Sequence, residues 1–180
     1  MRNLFTDESY NAQRFYSPEF EAQIIRALHH TAYDIVFFEG IYSALYIDVV
    51  KQHGKAKCIL RAHNVEYEIW QKAAREESFL KRYYINVLAE RLKKYEIECW
   101  KKFDAIIPII YIDEAIIREH NTVTQNYLTL PTGVDIKKIN GNNTNADIAK
   151  IFHLGSMDWT PNQQAMEWFM TNVWQRIEQN

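Results

Sequence analysis

Side chains with acid–base and hydrogen-bonding capacity directly follow the apolar run that ends at Ala62, in the segment RAHNVE. His63 has a side chain that titrates near neutral pH, so it could move a proton or bind a phosphate or sugar oxygen. Polar residues also collect at strand ends for structural reasons, and the spacing alone favours a structural histidine. Asn64 predicts the N-cap of a helix beginning at Val65, with Glu66 in the first turn. A metal site at His63 and Glu66 is disfavoured, because no further cluster of ligands completes a coordination shell.

Three glycine-containing turns also follow predicted strands and could contact a ligand. Glu39-Gly40 combines a carboxylate with nearby tyrosines, a pairing that is used for sugars but is common in any interface. In Gly133-Val134-Asp135, the glycine either supplies a backbone conformation that other residues resist or permits close approach, and the aspartate could cap a short helix. Gly155-Ser156 could present backbone N–H groups to a phosphate. No G-x-G-x-x-G or Walker motif accompanies it, which weakens dinucleotide and P-loop interpretations.

The elements that position these residues alternate between strands and helices. Helices are predicted from Ser17-Pro18 to the first strand, over Gly40–His53 and over Phe79–Phe103. Nearly all-apolar strands joined by helices predict an α/β fold with a parallel sheet covered on both faces, the doubly wound class, in which ligands bind beyond the carboxyl ends of strands. The predicted strands are Tyr33–Glu39, Lys57–Ala62, Asp104–Ile110, Asn126–Leu130 and Ile151–Gly155.

A domain boundary is predicted late in the chain. Residues 1–138 form the first domain, the Asn- and Gly-rich residues 139–149 a linker, and residues 150–180 the first strand and helix of a second. Thr160, Pro161 and Gln163 have the spacing of a capping box. The helix over residues 161–177 carries a wide apolar face that needs a partner, so we expect a truncated domain or self-association through this helix.

The composition narrows the classes of function. A formal charge of -2 over 180 residues gives no electrostatic case for a nucleic-acid partner. Two cysteines without metal-type spacing fit a reducing cytoplasm. No apolar run approaches the roughly 20 residues of a membrane span, which leaves peripheral association with the inner face of a membrane open.

Several of these stretches, taken in order, resemble the family-4 glycosyltransferases with the GT-B fold. The segments are YDIVFFEGIY, ILRAHNVEYEIW, LTLPTGVD and FHLGSMDWTPN, and the resemblance extends from about Leu4 to Ile177. It implies two Rossmann-like domains, the first binding the acceptor and the second a nucleotide-sugar donor. It further implies retaining transfer of a hexose to a glycan or lipid-linked acceptor, with no metal or other cofactor.

The resemblance also implies roles for particular residues. His63 would be the catalytic group, hydrogen-bonding the donor or positioning the acceptor in the cleft. Glu39, Gly40, Asn64, Glu66, Gly133, Val134, Asp135, Gly155 and Ser156 would contact substrate. The family's amino-terminal glycine-rich loop and the basic residue of its second domain have no counterparts here. Its E-x7-E spacing occurs at Glu68/Glu76 and Glu90/Glu98, but both pairs lie in helical patterns outside the expected context and are assigned no catalytic role. We therefore expect a fragment that is inactive alone.

Two other functional classes remain open from the sequence. One is a non-catalytic Rossmann-like interaction module that pairs through the apolar helix. The other is a nucleotide-sugar epimerase or similar two-domain enzyme.

Overall fold

The computed structural model describes residues 9–123, 125–138 and 151–178. The chain divides into two compact units, Met1–Val134 and Asp135–Asn180, which are treated separately below.

The first unit is built on a parallel sheet of four strands in sequence order. The strands are β1 (Ile35–Glu39), β2 (Lys57–Ala62), β3 (Ala105–Pro108) and β4 (Asn126–Tyr127). In the register, Glu39 lies beside Arg61, and Arg61 beside Ile107. The α/β class and the parallel sheet predicted from the sequence are confirmed, and β2 has the predicted bounds.

Helices precede and connect these strands. A short 3-10 helix, Ile41–Tyr46, leads into α3 (Ile47–His53), and Gly54 ends α3 as expected. The α-helices of the first unit are α1 (Tyr10–Gln13), α2 (Pro18–His30), α3 (Ile47–His53), α4 (Glu66–Arg75), α5 (Phe79–Trp100) and α6 (Tyr111–His120). Ser17 caps α2, because its hydroxyl accepts a hydrogen bond from the N–H of Phe20 at 3.2 Å.

Among the described residues, the core lies on one face of the sheet. Phe38, Leu60 and Ile106 are buried on that face, in a cluster that includes residues of α3, α4, α5 and α6. Successive right-handed crossovers that all step in one direction along the sheet place their helices on the same side. On the opposite face Ile35 is 54% exposed and Phe37 is 46% exposed. The expectation of a doubly wound sheet covered on both faces is therefore not met by the described residues.

The second unit is helical in its described part. A 3-10 turn, Ile136–Lys138, is followed after the undescribed residues 139–150 by α7 (Thr160–Phe169), a π-helical segment (Met170–Trp174) and α8 (Gln175–Glu178). The strand predicted over Ile151–Gly155 is absent from this part of the chain, since residues 151–155 have no regular structure.

The start of α7 also differs from the predicted capping box. Trp159 holds the N-cap position and makes no side-chain cap, while Thr160 is already helical and Pro161 lies in the first turn. The side chain of Gln163 instead donates to the carbonyl of Met157 at 2.6 Å. Pro161 still suits this end of the helix, because its missing N–H would have no intrahelical partner there.

Candidate functional site

The candidate site lies where β1 and β2 end. In a parallel sheet the carboxyl ends of neighbouring strands meet at one edge, so Glu39 at the end of β1 comes close to the residues that follow β2. His63 is the first residue after β2. Both side chains are therefore held by strand ends whose backbones are fixed by the sheet.

Glu39 and His63 form a hydrogen-bonded pair across this edge. The Nε2 atom of His63 lies 2.7 Å from Oε2 of Glu39. The side chain of His63 is 47% exposed and that of Glu39 is 60% exposed, so the pair is open to solvent and to a ligand. A histidine oriented by a carboxylate can accept, donate or transfer a proton at its other ring nitrogen.

Gly40 shapes the space beside this pair. Its φ of 76° and ψ of 156° fall in a region that is essentially restricted to glycine. Among the described residues, no other residue has a positive φ. A Cβ atom at this position would lie 3.9 Å from Nδ1 of His63. The glycine therefore permits the sharp departure of the chain from β1 and keeps the approach to Nδ1 free of a side chain.

Glu66 is held at the same edge by a tyrosine. The hydroxyl of Tyr42, just after β1, donates to Oε2 of Glu66 at 3.1 Å. Burial and the nearby carboxylate of Glu66 raise the pKa of Tyr42 well above its usual value, so the hydroxyl stays protonated and remains a donor. The pair thus connects the chain after β1 to the first turn of α4.

The capping role predicted for Asn64 is wrong, and a residue from α5 performs it. Val65 holds the N-cap position of α4 without a side-chain cap, and Asn64 is exposed. The carboxylate of Glu96 instead accepts from the backbone N–H groups of Glu66 at 3.1 Å and Tyr67 at 2.8 Å. The side chain of Glu96, distant in sequence, therefore bonds to two backbone N–H groups that have no partner within α4. It takes the place of a cap from a neighbouring residue.

Glu96 is the main residue of this region that sequence reasoning missed. It is completely buried, and burial raises its pKa to about 8 although the two backbone N–H groups oppose the shift. The available signal was its position four residues after Leu92 and three before Cys99, which places a carboxylate on the apolar stripe of α5. Its contacts fix the point at which the chain turns from His63 into α4.

The turn Gly133-Val134-Asp135 lies outside this cluster of hydrogen bonds. Gly133 is exposed, has no unusual φ, and has nothing near its Cβ position, so it does not supply a restricted backbone conformation. Val134 is 69% exposed. Asp135 does cap a short helix as expected, since its side chain accepts from the N–H of Lys137 at 3.1 Å.

Gly155 and Ser156, in the second unit, lie close to the start of α7. A Cβ atom on Gly155 would fall 2.7 Å from both the His153 and Asn162 side chains, so a larger residue would force them to move. The carbonyl of Ser156 accepts from the Asn162 side chain at 2.8 Å. These contacts give both residues a structural role in the turn, while their predicted contact with a phosphate stays a prediction.

The described residues contain neither a metal-binding cluster nor a membrane-spanning helix. No group of three or more His, Cys, Asp or Glu side chains there could hold a metal ion. Within the same ranges, no helix combines the length and apolar character needed to cross a bilayer.

Comparison with protein-family models, with curated proteins and with solved structures found no match to this chain. The function of the site must therefore be argued from its own chemistry. An exposed, oriented histidine beside a glycine and two carboxylates can bind a polar ligand by hydrogen bonds, and can accept or donate one proton.

Proposed function

We propose that this chain contributes the acceptor-binding groups of a retaining glycosyltransferase, which transfers a hexose from a nucleotide sugar to a glycan or lipid-linked acceptor. The observation that carries the proposal is the pairing of His63 with Glu39 beside Gly40, at the carboxyl edge of two adjacent parallel strands. The order of motifs in the sequence supports the same assignment. In this proposal the first unit is the Rossmann-like acceptor-side domain.

The chemistry of the edge suits a ligand rich in hydroxyl groups. Each hydroxyl carries one donor hydrogen, so different hydroxyls of one sugar can donate to a carboxylate oxygen and to a ring nitrogen at the same time. Glu66 supplies an acceptor, Glu39 orients His63, and His63 supplies a group whose role changes with protonation. In the reaction, His63 would position the attacking hydroxyl by accepting a hydrogen bond from it, a task for a group that is already fixed before the substrate binds.

The remaining predicted contacts follow from this proposal. Asn64, exposed next to His63, would bind an outer hydroxyl of the acceptor. Gly133, Val134 and Asp135 would contact substrate from the end of the first domain, and Gly155 and Ser156 from the first loop of the donor domain. We also propose a cytoplasmic location, which is supported by two cysteines that are both buried and free.

Saturation-transfer NMR tests the proposal on the 180-residue chain. Neutral oligosaccharides and nucleotide sugars are offered separately, and we expect signal transfer to the oligosaccharides. His63→Ala should reduce that transfer several-fold, because the substitution removes a hydrogen-bonding group without disturbing the buried core. His30→Ala, at an exposed histidine at the end of α2, serves as the matched control and should leave the transfer unchanged. Transfer to nucleotide sugars alone would point instead to an epimerase-like enzyme.

A second candidate, a non-catalytic interaction module, is supported by exposed apolar side chains. In the second unit Trp168 is 61% exposed, Met170 46% and Ile177 44%. Exposed apolar groups in one region are typical of a surface that binds another protein. Sedimentation velocity separates the candidates, because concentration-dependent association that is lost in Trp168→Ser supports the module and a monomer at all concentrations opposes it.

A further inference from the structure

We propose that Glu39 is a positioning residue for His63 and not a substrate contact. Its carboxylate holds the neutral imidazole with the proton on Nε2, so that the lone pair of Nδ1 accepts a hydrogen bond from a hydroxyl group of a neutral sugar. The identity of the ligand rests on the proposed function, whereas the state of the imidazole does not.

The pairing fixes which nitrogen carries the proton. An ionised carboxylate is an acceptor only, and a neutral imidazole has one N–H and one lone pair. At 2.7 Å, the contact between Glu39 and Nε2 of His63 is therefore a hydrogen bond donated by the histidine. Nδ1 is left without a proton and can only accept.

Gly40 keeps Nδ1 accessible. The Cβ position of residue 40 lies 3.9 Å from this nitrogen, and the glycine leaves that volume empty. The restricted backbone conformation of Gly40 also turns the chain away from the direction of β1 directly after the strand ends. A hydroxyl oxygen about 2.7–2.8 Å from Nδ1 would lie in the space that a side chain would otherwise reduce.

The charges around the pair favour a neutral ligand over an anion. A phosphate oxygen without a proton cannot donate to a lone pair, so a diphosphate has no bond to make with Nδ1 of the neutral ring. The carboxylates of Glu39 and Glu66 lie at this edge and repel an anion. Of the two cations of β2, Arg61 is the one nearer this edge, beside Glu39 in the register, and the hydroxyl of Tyr42 is already bonded to Glu66. The edge therefore selects an acceptor sugar and not the diphosphate of a donor.

Nitrogen-15 NMR of the histidine ring tests the positioning role without any ligand. At a pH where His63 is neutral, the wild-type chain should show the proton on Nε2 with slowed exchange. Glu39→Ala should lose the slowed exchange and gain a measurable population protonated on Nδ1. Glu39→Gln, which retains a carbonyl oxygen, should keep most of the wild-type signature. Glu98→Gln, at an exposed glutamate of α5 that pairs with Lys101, is the control and should change nothing.

Two results would overturn the positioning role. One is a wild-type ring protonated on Nδ1. The other is a Glu39→Ala spectrum identical to that of the wild type, once the amide spectrum has shown that the variant is folded.

A second measurement tests the hydroxyl assignment. Methyl α-glucopyranoside, methyl α-mannopyranoside and inorganic pyrophosphate are each added at high millimolar concentration to the neutral-ring state. One of the glycosides should shift the Nδ1 resonance, and pyrophosphate should not. A shift with pyrophosphate, or no shift with either glycoside, overturns the assignment.

The two measurements also separate this inference from the proposed function. If oligosaccharides bind but the tautomer is wrong, the proposed function stands and the role of Glu39 falls. If the tautomer is as expected but no sugar reaches Nδ1, Glu39 still positions His63 and the sugar assignment falls.

Discussion

Replacing Glu96 with glutamine should make the chain less stable than the wild type at acid pH and more stable than the wild type at alkaline pH. Glu96 is completely buried and accepts the backbone N–H groups of Glu66 and Tyr67. Burial raises its pKa from 4.5 to about 8. Between these two pKa values, the folded chain holds a proton on Glu96 that the unfolded chain has released. The free energy of unfolding must therefore fall as the pH rises across this range.

The magnitude follows from the width of that interval. Each pH unit over which one proton is bound only in the folded state changes the free energy of unfolding by about 1.4 kcal/mol. Between about pH 5.5 and pH 8.5, the wild type should lose about 3 kcal/mol through this group. In Glu96→Gln the side chain at position 96 cannot titrate, so the variant does not lose this unfolding free energy. Near pH 5.5 the variant should be less stable by about 1–2 kcal/mol, because its amide N–H₂ group cannot accept the second backbone hydrogen bond.

Urea unfolding followed by far-ultraviolet circular dichroism measures both the pH-dependent loss in the wild type and the cost of the missing hydrogen bond in the variant. The difference in unfolding free energy between wild type and Glu96→Gln should change by about 3 kcal/mol over this pH range and should favour the variant at the alkaline end. Glu90→Gln, at an exposed glutamate of the same helix, is the matched control and should run parallel to the wild type. A difference between wild type and Glu96→Gln that is constant with pH would refute the reasoning.

Three further predictions concern the same unit, each measured by urea unfolding. Gly40→Ala should cost about 1–3 kcal/mol, because the φ of 76° strains any residue with a Cβ atom; a neutral effect would contradict this. Tyr42→Phe should cost about 1 kcal/mol through loss of the bond to Glu66, with Tyr83→Phe, at an exposed tyrosine, as the control. Leu60→Ala should cost about 3 kcal/mol, since Leu60 is fully buried in β2, and a loss below 1 kcal/mol would show that the core is not packed around it.

Of the four strands of the sheet, β2 was predicted most accurately. The bounds of β2 match those predicted because Cys58, Leu60 and Ala62 are buried in the interior of the sheet, where β-branched and apolar residues are favoured. At the edge, β4 is limited to Asn126–Tyr127, although the N–H of Leu128 still bonds to the carbonyl of Ile106. The run beginning at Ile151 has the composition of a strand and forms none. A short apolar run becomes a strand only where a neighbouring strand takes its hydrogen bonds, and composition alone does not reveal that neighbour.

The candidate site was predictable in its position but not in its contacts. The rule that ligands bind beyond the carboxyl ends of parallel strands directed attention to Glu39-Gly40 and to His63, which the structure brings together at one edge of the sheet. That Glu39 would bond to Nε2 depends on the register between β1 and β2 and on the sharp turn at Gly40, neither of which the spacing specifies. Glu96 was missed because its partners lie about thirty residues away in sequence, at the start of α4.

The most direct test of the central claim is to map where a glycan binds. Oligosaccharides that show saturation transfer are titrated into the ¹⁵N-labelled chain, and the shifts of the backbone amide resonances are followed. We expect the largest shifts to cluster at residues 39–42 and 63–66, at the carboxyl edge of β1 and β2, and to vanish in His63→Ala. Shifts confined to other parts of the chain, or binding that His63→Ala leaves intact, would contradict it.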